Sequence, residues 1–175
     1  TGLNLILAKG ENNMAKSLDI LIRNRCCKYM WTSDISKLYN QLHMMNSSLA
    51  YQLFLFSESL IENEAAEVWV LVRGWYGTRS TGAQAGEALR KLAEMLQGKY
   101  PFASEIIRKN IYVDDIMSGA NNEAELEEQI SQTQALLKKG GFKMKFIVRT
   151  GETPSQEASS DGQSLKILGY KWQPK

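Results

Sequence analysis

Two adjacent carboxylates, Asp114 and Asp115, lie between apolar residues that favour β-strands, in the stretch 111–116. This pattern predicts a tight hairpin with the acidic pair at its tip. Two neighbouring aspartates at a buried strand end repel each other and resist desolvation. A divalent cation relieves both costs, because hard oxygen ligands suit Mg²⁺. For the pair taken alone, an acidic β-turn without a ligand is the alternative, since aspartate is common in turns.

A third carboxylate, Asp34, comes near the end of a stretch rich in strand-forming residues, 28–35. If the fold brings Asp34 beside Asp114 and Asp115, three carboxylates converge on one point. Such a site holds two divalent ions about 3.5–4 Å apart and promotes in-line phosphoryl displacement. For Asp34 alone, the alternative is an N-cap of a short helix over 36–42.

Secondary-structure elements must position these carboxylates, and apolar periodicity and turn residues indicate them along the chain. The predicted helices cover 13–25, a short helix or turn over 36–42, a helix ended by Gly98, a helical turn over 102–109, and a helix from Asn122 to Gly140. The predicted strands cover 28–35, 51–56, 68–72, 142–148 and 165–172, with the acidic hairpin at 112–118.

Several of these elements carry specific expectations. The residues 68–72 are apolar throughout, as in a strand covered on both faces. Asn122 and Glu125 have the spacing of a capping box. Acidic residues fill the loop around 58–67, and the stretch 151–163 lacks periodicity, which predicts a mobile loop. The first predicted helix is indicated by Met14, Leu18, Leu21 and Ile22, which fall on one helical face.

The order of elements contains a β-α-β-β-α-β split unit. It predicts an α+β fold of the ferredoxin-like or RRM-like type, an antiparallel sheet with helices on one face. In that topology the central hairpin lies beside the end of the first strand. The fold would therefore place Asp34 next to Asp114 and Asp115.

Composition limits the class of protein. The chain has 175 residues, 43% apolar and 23% charged, which is typical of a globular domain. A net charge of +2 gives no strong basic footprint for nucleic acid. Cys26 and Cys27, the only cysteines, favour a reducing compartment and argue against structural zinc. The sequence has no bilayer-spanning run, so we expect no membrane partner. Because it opens at Thr1 in mid-pattern, we expect an excised piece of a longer chain.

Five ordered blocks resemble the palm of a reverse transcriptase, most closely that of BEL/Pao-type LTR retrotransposon polyproteins. The block 33–41 is similar to the first catalytic motif, and 75–81 to the segment that backs the template and incoming nucleotide. The block 112–115, with the sequence YVDD, is similar to the catalytic hairpin. The blocks 140–145 and 168–170 are similar to the following helix-to-strand motif and to the primer-holding hairpin. The similarity covers nearly the whole chain.

The resemblance implies a two-metal site for Mg²⁺ or Mn²⁺. Asp34 and Asp114 would be the main ligands, Asp115 the third acidic member, and the carbonyl of Ile35 would help to hold the nucleotide metal. His43, the only histidine, is expected to be a packing or surface residue.

The resemblance also implies substrate contacts. Tyr39 would lie under the sugar, where its ring would clash with a 2′-hydroxyl and favour deoxynucleotides; a half-buried helix aromatic is the alternative. Tyr76 and Gly77 would face the nucleotide, and Tyr112 would lie near the primer terminus. Lys145 is a candidate to protonate the leaving pyrophosphate, with a solvated strand lysine as its alternative.

The primer end would be held by Leu168, Gly169 and Tyr170. The whole chain would form one palm-type domain. Its parts would be a finger-proximal segment 1–26, a palm core 27–148, a mobile loop 149–163 and a primer-grip-like strand 164–175. One departure concerns the second motif, where Thr81 and Gly82 replace the usual Ser-Pro or Ala-Pro pair.

The implied activity is RNA-directed DNA polymerisation, the two-metal transfer of a dNTP onto a primer 3′ end. The implied partners are an RNA or DNA template, a DNA or tRNA primer, dNTP and other parts of a parent polyprotein. The implied location is the cytoplasm or virus-like particles. Fingers, thumb and RNase H would lie outside this piece.

Two other functions remain open from the sequence. One is a domesticated or inactive palm that serves as an interaction or scaffold domain. The other is a different metal-dependent nucleotidyl enzyme on the same split unit, such as an RNA-templated RNA polymerase or a cyclase.

Overall fold

The computed structural model describes residues 2–58 and 66–175, so most of the predicted acidic loop lies outside the described residues. The helices are α1 (Leu3–Ile6), α2 (Ser17–Arg25), α3 (Thr81–Leu96), α4 (Pro101–Lys109) and α5 (Glu123–Lys139), with short 3₁₀ helices at Leu38–Gln41 and Asn46–Tyr51. The strands are β1 (Tyr29–Ile35), β2 (Leu53–Phe56), β3 (Glu67–Val70), β4 (Ile111–Tyr112), β5 (Asp115–Ala120), β6 (Met144–Arg149), β7 (Leu165–Ile167) and β8 (Tyr170–Trp172).

Four strands form an antiparallel sheet in the order β4-β5-β1-β6. Helices α3 and α4 connect β1 to β4, and α5 connects β5 to β6. The predicted α+β class with an antiparallel sheet is therefore confirmed, and the strand order is compatible with a ferredoxin-like palm. The two central strands, β1 and β5, are those that carry Asp34 and Asp115.

The main core lies between the sheet and helices α3, α4 and α5. Alternation along β1 turns Trp31 and Ile35 into this core, where their exposed fractions are 0% and 1%. Apolar side chains of α3 and α5 also lie here, among them the buried Ala85, Leu89, Leu126, Ile130 and Leu137.

A buried polar network ties α5 to the sheet. The Gln129 Oε1 atom accepts hydrogen bonds from the Trp31 indole nitrogen (3.2 Å) and the Ser118 hydroxyl (3.0 Å). The Gln129 Nε2 atom donates to the carbonyl of Gly119 (3.0 Å). One side chain thus satisfies three polar groups that have little access to water, and it fixes the helix over β1 and β5.

The opposite face of the sheet is covered by α2 and the β7–β8 hairpin. Ile20, Met117, Ile167 and Leu168 form a second buried cluster there. The first predicted helix forms, but it begins at Ser17, so Met14 lies before it. Leu21 packs against this second cluster, whereas Leu18 and Ile22 are exposed, because α2 meets the sheet through Ile20 and Asn24.

The strand predicted over 68–72 forms, but its predicted coverage on both faces was wrong. It pairs with β2 in a separate two-stranded sheet. Val68, Trp69 and Val70 have exposed fractions of 66%, 48% and 41%. Within the described residues the β2–β3 hairpin stays largely exposed, so its apolar composition does not indicate burial.

The predicted N-terminal cap of α5 is confirmed, whereas the prediction of one strand over 165–172 was wrong. The Asn122 side chain accepts a hydrogen bond from the backbone N–H of Glu125 (2.9 Å) and caps α5. The last predicted strand is divided by a turn at Leu168 and Gly169 into β7 and β8. None of the helices in the described ranges has the length and apolar character needed to span a bilayer.

Candidate metal centre

The pairing of β1 with β5 brings the three predicted carboxylates together. Asp34 lies directly opposite Asp115 in the antiparallel register, so their side chains share one face of the sheet. One carboxylate oxygen each of Asp34, Asp114 and Asp115 lies within 4.8 Å of the others. All three residues are partly buried. The spatial convergence expected from the split unit is therefore present.

The hairpin tip is built with an unusual backbone. Tyr112 pairs with Asp115, which leaves Val113 and Asp114 as the two turn residues. Val113 has a φ of 59°, a region that β-branched residues rarely adopt. The Ile35 backbone N–H donates to the Asp114 carbonyl (2.8 Å), so the turn is fastened to the end of β1. The strained turn is thus held where it presents Asp114 beside Asp34.

The site disfavours three negative charges without a counterion. The pKa of Asp115 is raised to about 6, chiefly by burial and also by the charges of Asp114 and Asp34, against a lowering hydrogen bond from the Leu168 backbone. Burial also raises the pKa of Asp34, followed by the charge of Asp114. Both shifts are those expected of partly buried carboxylates that lie close to one another.

A lysine provides the positive charge that acts on this cluster. Lys145 is exposed on β6, and its charge lowers the pKa of Asp34, although burial outweighs it. This position is consistent with either expectation for Lys145, the proton donor or the solvated lysine.

The donor set could hold a divalent metal ion. Three carboxylates without histidine or cysteine form a hard oxygen site, which suits Mg²⁺, Mn²⁺ or Ca²⁺ better than Zn²⁺. Partial burial leaves space for water or substrate oxygens to complete the coordination shell, as Mg²⁺ requires. The residues present therefore fit the metal that the sequence suggests.

Two tyrosines lie beside the carboxylates. The rings of Tyr39 and Tyr76 meet edge to face with centroids 5.0 Å apart. Burial raises the pKa of Tyr39, and the charge of Asp114 raises it further. Tyr39 is half-buried in the 3₁₀ helix after β1, within reach of the charge of Asp114, which is consistent with either expectation for this residue.

The glycine segment after β3 is held by the N-terminal helix. Gly77 has a φ of 88°, which glycine adopts without strain. Asn4 donates from Nδ2 to the Gly77 carbonyl (2.7 Å) and accepts from the Arg79 backbone N–H (2.9 Å) through Oδ1. This clamp was not predicted from the sequence.

A cavity of about 480 Å³ lies beside the β4–β5 hairpin. Val113 and Tyr39 line it together with residues of α3 and of the segment 9–15. Its lining includes four cationic and two acidic side chains, namely Lys9, Arg79, Arg90, Arg108, Glu11 and Glu87. The composition of the whole chain gave no sign of this local positive excess, because net charge averages over the whole surface.

The remaining predicted residues, in β4 and the β7–β8 hairpin, differ in how deeply they are buried. Tyr112 is partly buried against the second core cluster, next to Met117. Leu168 is buried, Gly169 has a φ of 81°, and Tyr170 is 51% exposed. The backbone N–H of Leu168 donates to Asp115 Oδ2 (2.8 Å). The terminal hairpin therefore contacts the metal centre directly, which the sequence did not reveal.

Comparisons with protein-family models and with curated proteins give no match to this chain.

Proposed function

We propose that this chain is the palm domain of an RNA-directed DNA polymerase, in which Asp34, Asp114 and Asp115 hold two Mg²⁺ or Mn²⁺ ions. One observation carries the proposal. Carboxylates from two segments far apart in the sequence meet within 4.8 Å at the end of two central strands. A solvated acidic turn would not require Asp34 to share that face.

The chain's own side chains would position the reactants. When bound, the two ions would lower the pKa of an attacking primer hydroxyl and stabilise the leaving pyrophosphate. The Ile35 carbonyl would add a neutral oxygen ligand beside Asp34. Lys145 would donate a proton to the leaving pyrophosphate. Tyr39, braced by Tyr76, would exclude a 2′-hydroxyl from the sugar position.

The surroundings of the site suit nucleic acid. The cavity beside Val113 carries cationic side chains that would contact template phosphates, among them Arg79. Tyr76 and Gly77 would face the incoming dNTP, and Tyr112 would lie near the primer terminus. Leu168, Gly169 and Tyr170 would hold that end. The remaining proposed partners are an RNA or DNA template, a DNA or tRNA primer and the parent polyprotein, in the cytoplasm or in virus-like particles.

Manganese binding tests the metal centre. In electron paramagnetic resonance titrations, Asp114→Asn should weaken Mn²⁺ binding at least about tenfold, because it removes one charged ligand. Glu128→Gln is the matched control. It removes an exposed carboxylate from α5, across the sheet, and should leave the affinity unchanged. Equal affinities of the wild type and Asp114→Asn would contradict the metal centre.

Primer extension tests the chemistry and the sugar discrimination. A polypeptide that contains this domain should extend a primer on an RNA template with dNTP and Mn²⁺. Tyr39→Ala should admit ribonucleotides, whereas Tyr39→Phe keeps the ring and should retain the discrimination. Equal use of both sugars by the wild type would instead favour a ribonucleotide enzyme on the same fold.

An interaction or scaffold domain is the second candidate function. It is favoured by the exposed apolar β2–β3 hairpin, since large exposed apolar patches are typical of binding surfaces. Mn²⁺ affinities that are weak and insensitive to Asp34→Asn, Asp114→Asn and Asp115→Asn would support this candidate over the polymerase.

A further inference from the structure

The turn of the β7–β8 hairpin presents one backbone N–H to the carboxylate cluster. Leu168 and Gly169 are its two central residues, with φ angles of 53° and 81°, as in a type I′ turn. The ladder of a two-residue hairpin does not use the N–H of the first central residue. Leu168 is only 3% exposed, so that N–H needs a partner within the protein. Asp115 Oδ2 is that partner, at 2.8 Å.

The hairpin that carries this N–H is anchored to the strand that carries Asp115. Ile167 and Leu168 pack with Ile20 and Met117 in the second core cluster. Met117 lies two residues after Asp115 on β5 and therefore on the same face of the sheet. The apolar contacts and the hydrogen bond thus place the turn and the carboxylate relative to each other.

We propose that the Leu168 backbone N–H positions the Asp115 carboxylate and thereby couples docking of the β7–β8 hairpin to divalent-metal binding. A charge-assisted hydrogen bond to one oxygen fixes the orientation of the carboxylate and leaves the other oxygen for a cation. The inference rests on the proposed metal function. Leu168 is a positioning residue, since it acts through Asp115.

The coupling runs in both directions. If hairpin docking strengthens metal binding by some factor, metal binding strengthens hairpin docking by the same factor. The proposed function assigns the primer end to this same hairpin. Binding of a primer there would therefore alter the affinity of the carboxylate cluster for the metal ion. Binding of the metal ion would in turn strengthen primer binding.

Hydrogen exchange at the Leu168 amide tests the contact. Asp115→Ala removes the acceptor and should speed exchange at Leu168 at least about tenfold. Asp115→Asn keeps an oxygen acceptor and should change it less than about threefold. Asp114→Ala is the matched control, because it removes the adjacent charge without removing this acceptor. Saturating Mg²⁺ should slow the exchange in the wild type. Equal rates in Asp115→Ala and Asp114→Ala would overturn the contact.

Manganese affinity tests the coupling. Ile167→Ala loosens the hairpin from its anchor and should raise the Mn²⁺ dissociation constant about three- to tenfold. Lys166→Ala changes an exposed neighbour on the same strand and should leave it unchanged. If Ile167→Ala does not fold, Gly169→Val disrupts the turn at its positive φ, and Gly169→Asn serves as the tolerated control.

The outcomes separate the two proposals. If the wild type binds no Mn²⁺, the metal function fails and the coupling fails with it. Suppose that the wild type binds Mn²⁺, and that the Leu168 amide of Ile167→Ala exchanges faster without any loss of Mn²⁺ affinity. In that case only the coupling is overturned.

Discussion

The acidic cluster shows how far residue types predict a site. The identities of Asp34, Asp114 and Asp115, with the split unit, were enough to predict their convergence. The contacts that position them were not predictable, because they use backbone groups. The N–H groups of Leu168 and Ile35 belong to the backbone, which every residue type shares, so no sequence signal marks them.

Asp115 makes the metal-free protein less stable as pH rises. Its pKa in the folded state is about 6, above the ordinary aspartate value, so the folded state holds the proton more tightly than the unfolded chain. The stabilising effect of protonation is complete below about pH 4 and is lost as pH rises through about 6. The group is partly solvated, so we expect an effect on the order of 1 kcal/mol.

Urea unfolding of the wild type and Asp115→Asn in a chelator checks this expectation. The variant should be more stable at pH 7, and the difference should vanish near pH 4. The comparison must be between the two proteins, because Asp161, whose pKa is lowered by its hydrogen bonds, contributes with the opposite sign. A difference that does not change between pH 4 and pH 7 would contradict the assignment.

At the scale of elements, the β4–β5 hairpin stores strain. Val113 occupies a positive φ at the first turn position, where glycine is favoured in two-residue hairpins. Val113→Gly should therefore stabilise the fold by about 0.5–1 kcal/mol, although glycine usually destabilises. Thermal unfolding measures this, with Val148→Gly in β6 as the control that should destabilise. A lower melting temperature of Val113→Gly would show that the turn is not strained.

Helix α5 depends on a polar residue in an apolar interface. Gln129→Ala would leave the Trp31 indole N–H and the Gly119 carbonyl without this partner. We expect a loss of about 2–4 kcal/mol in the free energy of unfolding, from the unsatisfied groups and the cavity together. Gln134→Ala, at an exposed position of the same helix, should cost less than about 1 kcal/mol. Denaturant unfolding of both variants makes the comparison.

Elements were predictable where periodicity and burial agree. Alternation and capping predicted β1, β5 and α5, because each has one face in the core. They also predicted α2, although its apolar side chains Leu18 and Ile22 are exposed. At 68–72 the strand was predicted but its burial was wrong, because a sequence does not state which apolar faces find a partner.

At the scale of the molecule, the four-stranded sheet and the β2–β3 hairpin differ in burial. Val68→Lys on the exposed β3 should change the free energy of unfolding by less than about 0.5 kcal/mol. Ile116→Ala, at a fully buried position of β5, should cost about 2–5 kcal/mol. Calorimetry of the two variants measures the contrast. Similar losses of unfolding free energy in both variants would indicate that the β2–β3 hairpin packs against another segment or molecule in solution.

The architecture as a whole followed from the order of elements, since few topologies accept a β-α-β-β-α-β unit. The position of the β2–β3 hairpin and the docking of the β7–β8 hairpin did not follow. Both depend on tertiary contacts of short strands, whose pairing leaves little trace in local propensity.

The central place of β1 in the sheet has a consequence for how the chain folds during its synthesis. This strand finds its partners only in β5 and β6, which are made long after it on the ribosome. Closing such wide loops is entropically costly and slow. Asp34 is therefore synthesised before α3 and α4, and it comes close to Asp114 and Asp115 only after those helices have been made. Cation affinity should arise only once β5 has joined the sheet, which makes a bound ion a late marker of a correctly assembled chain.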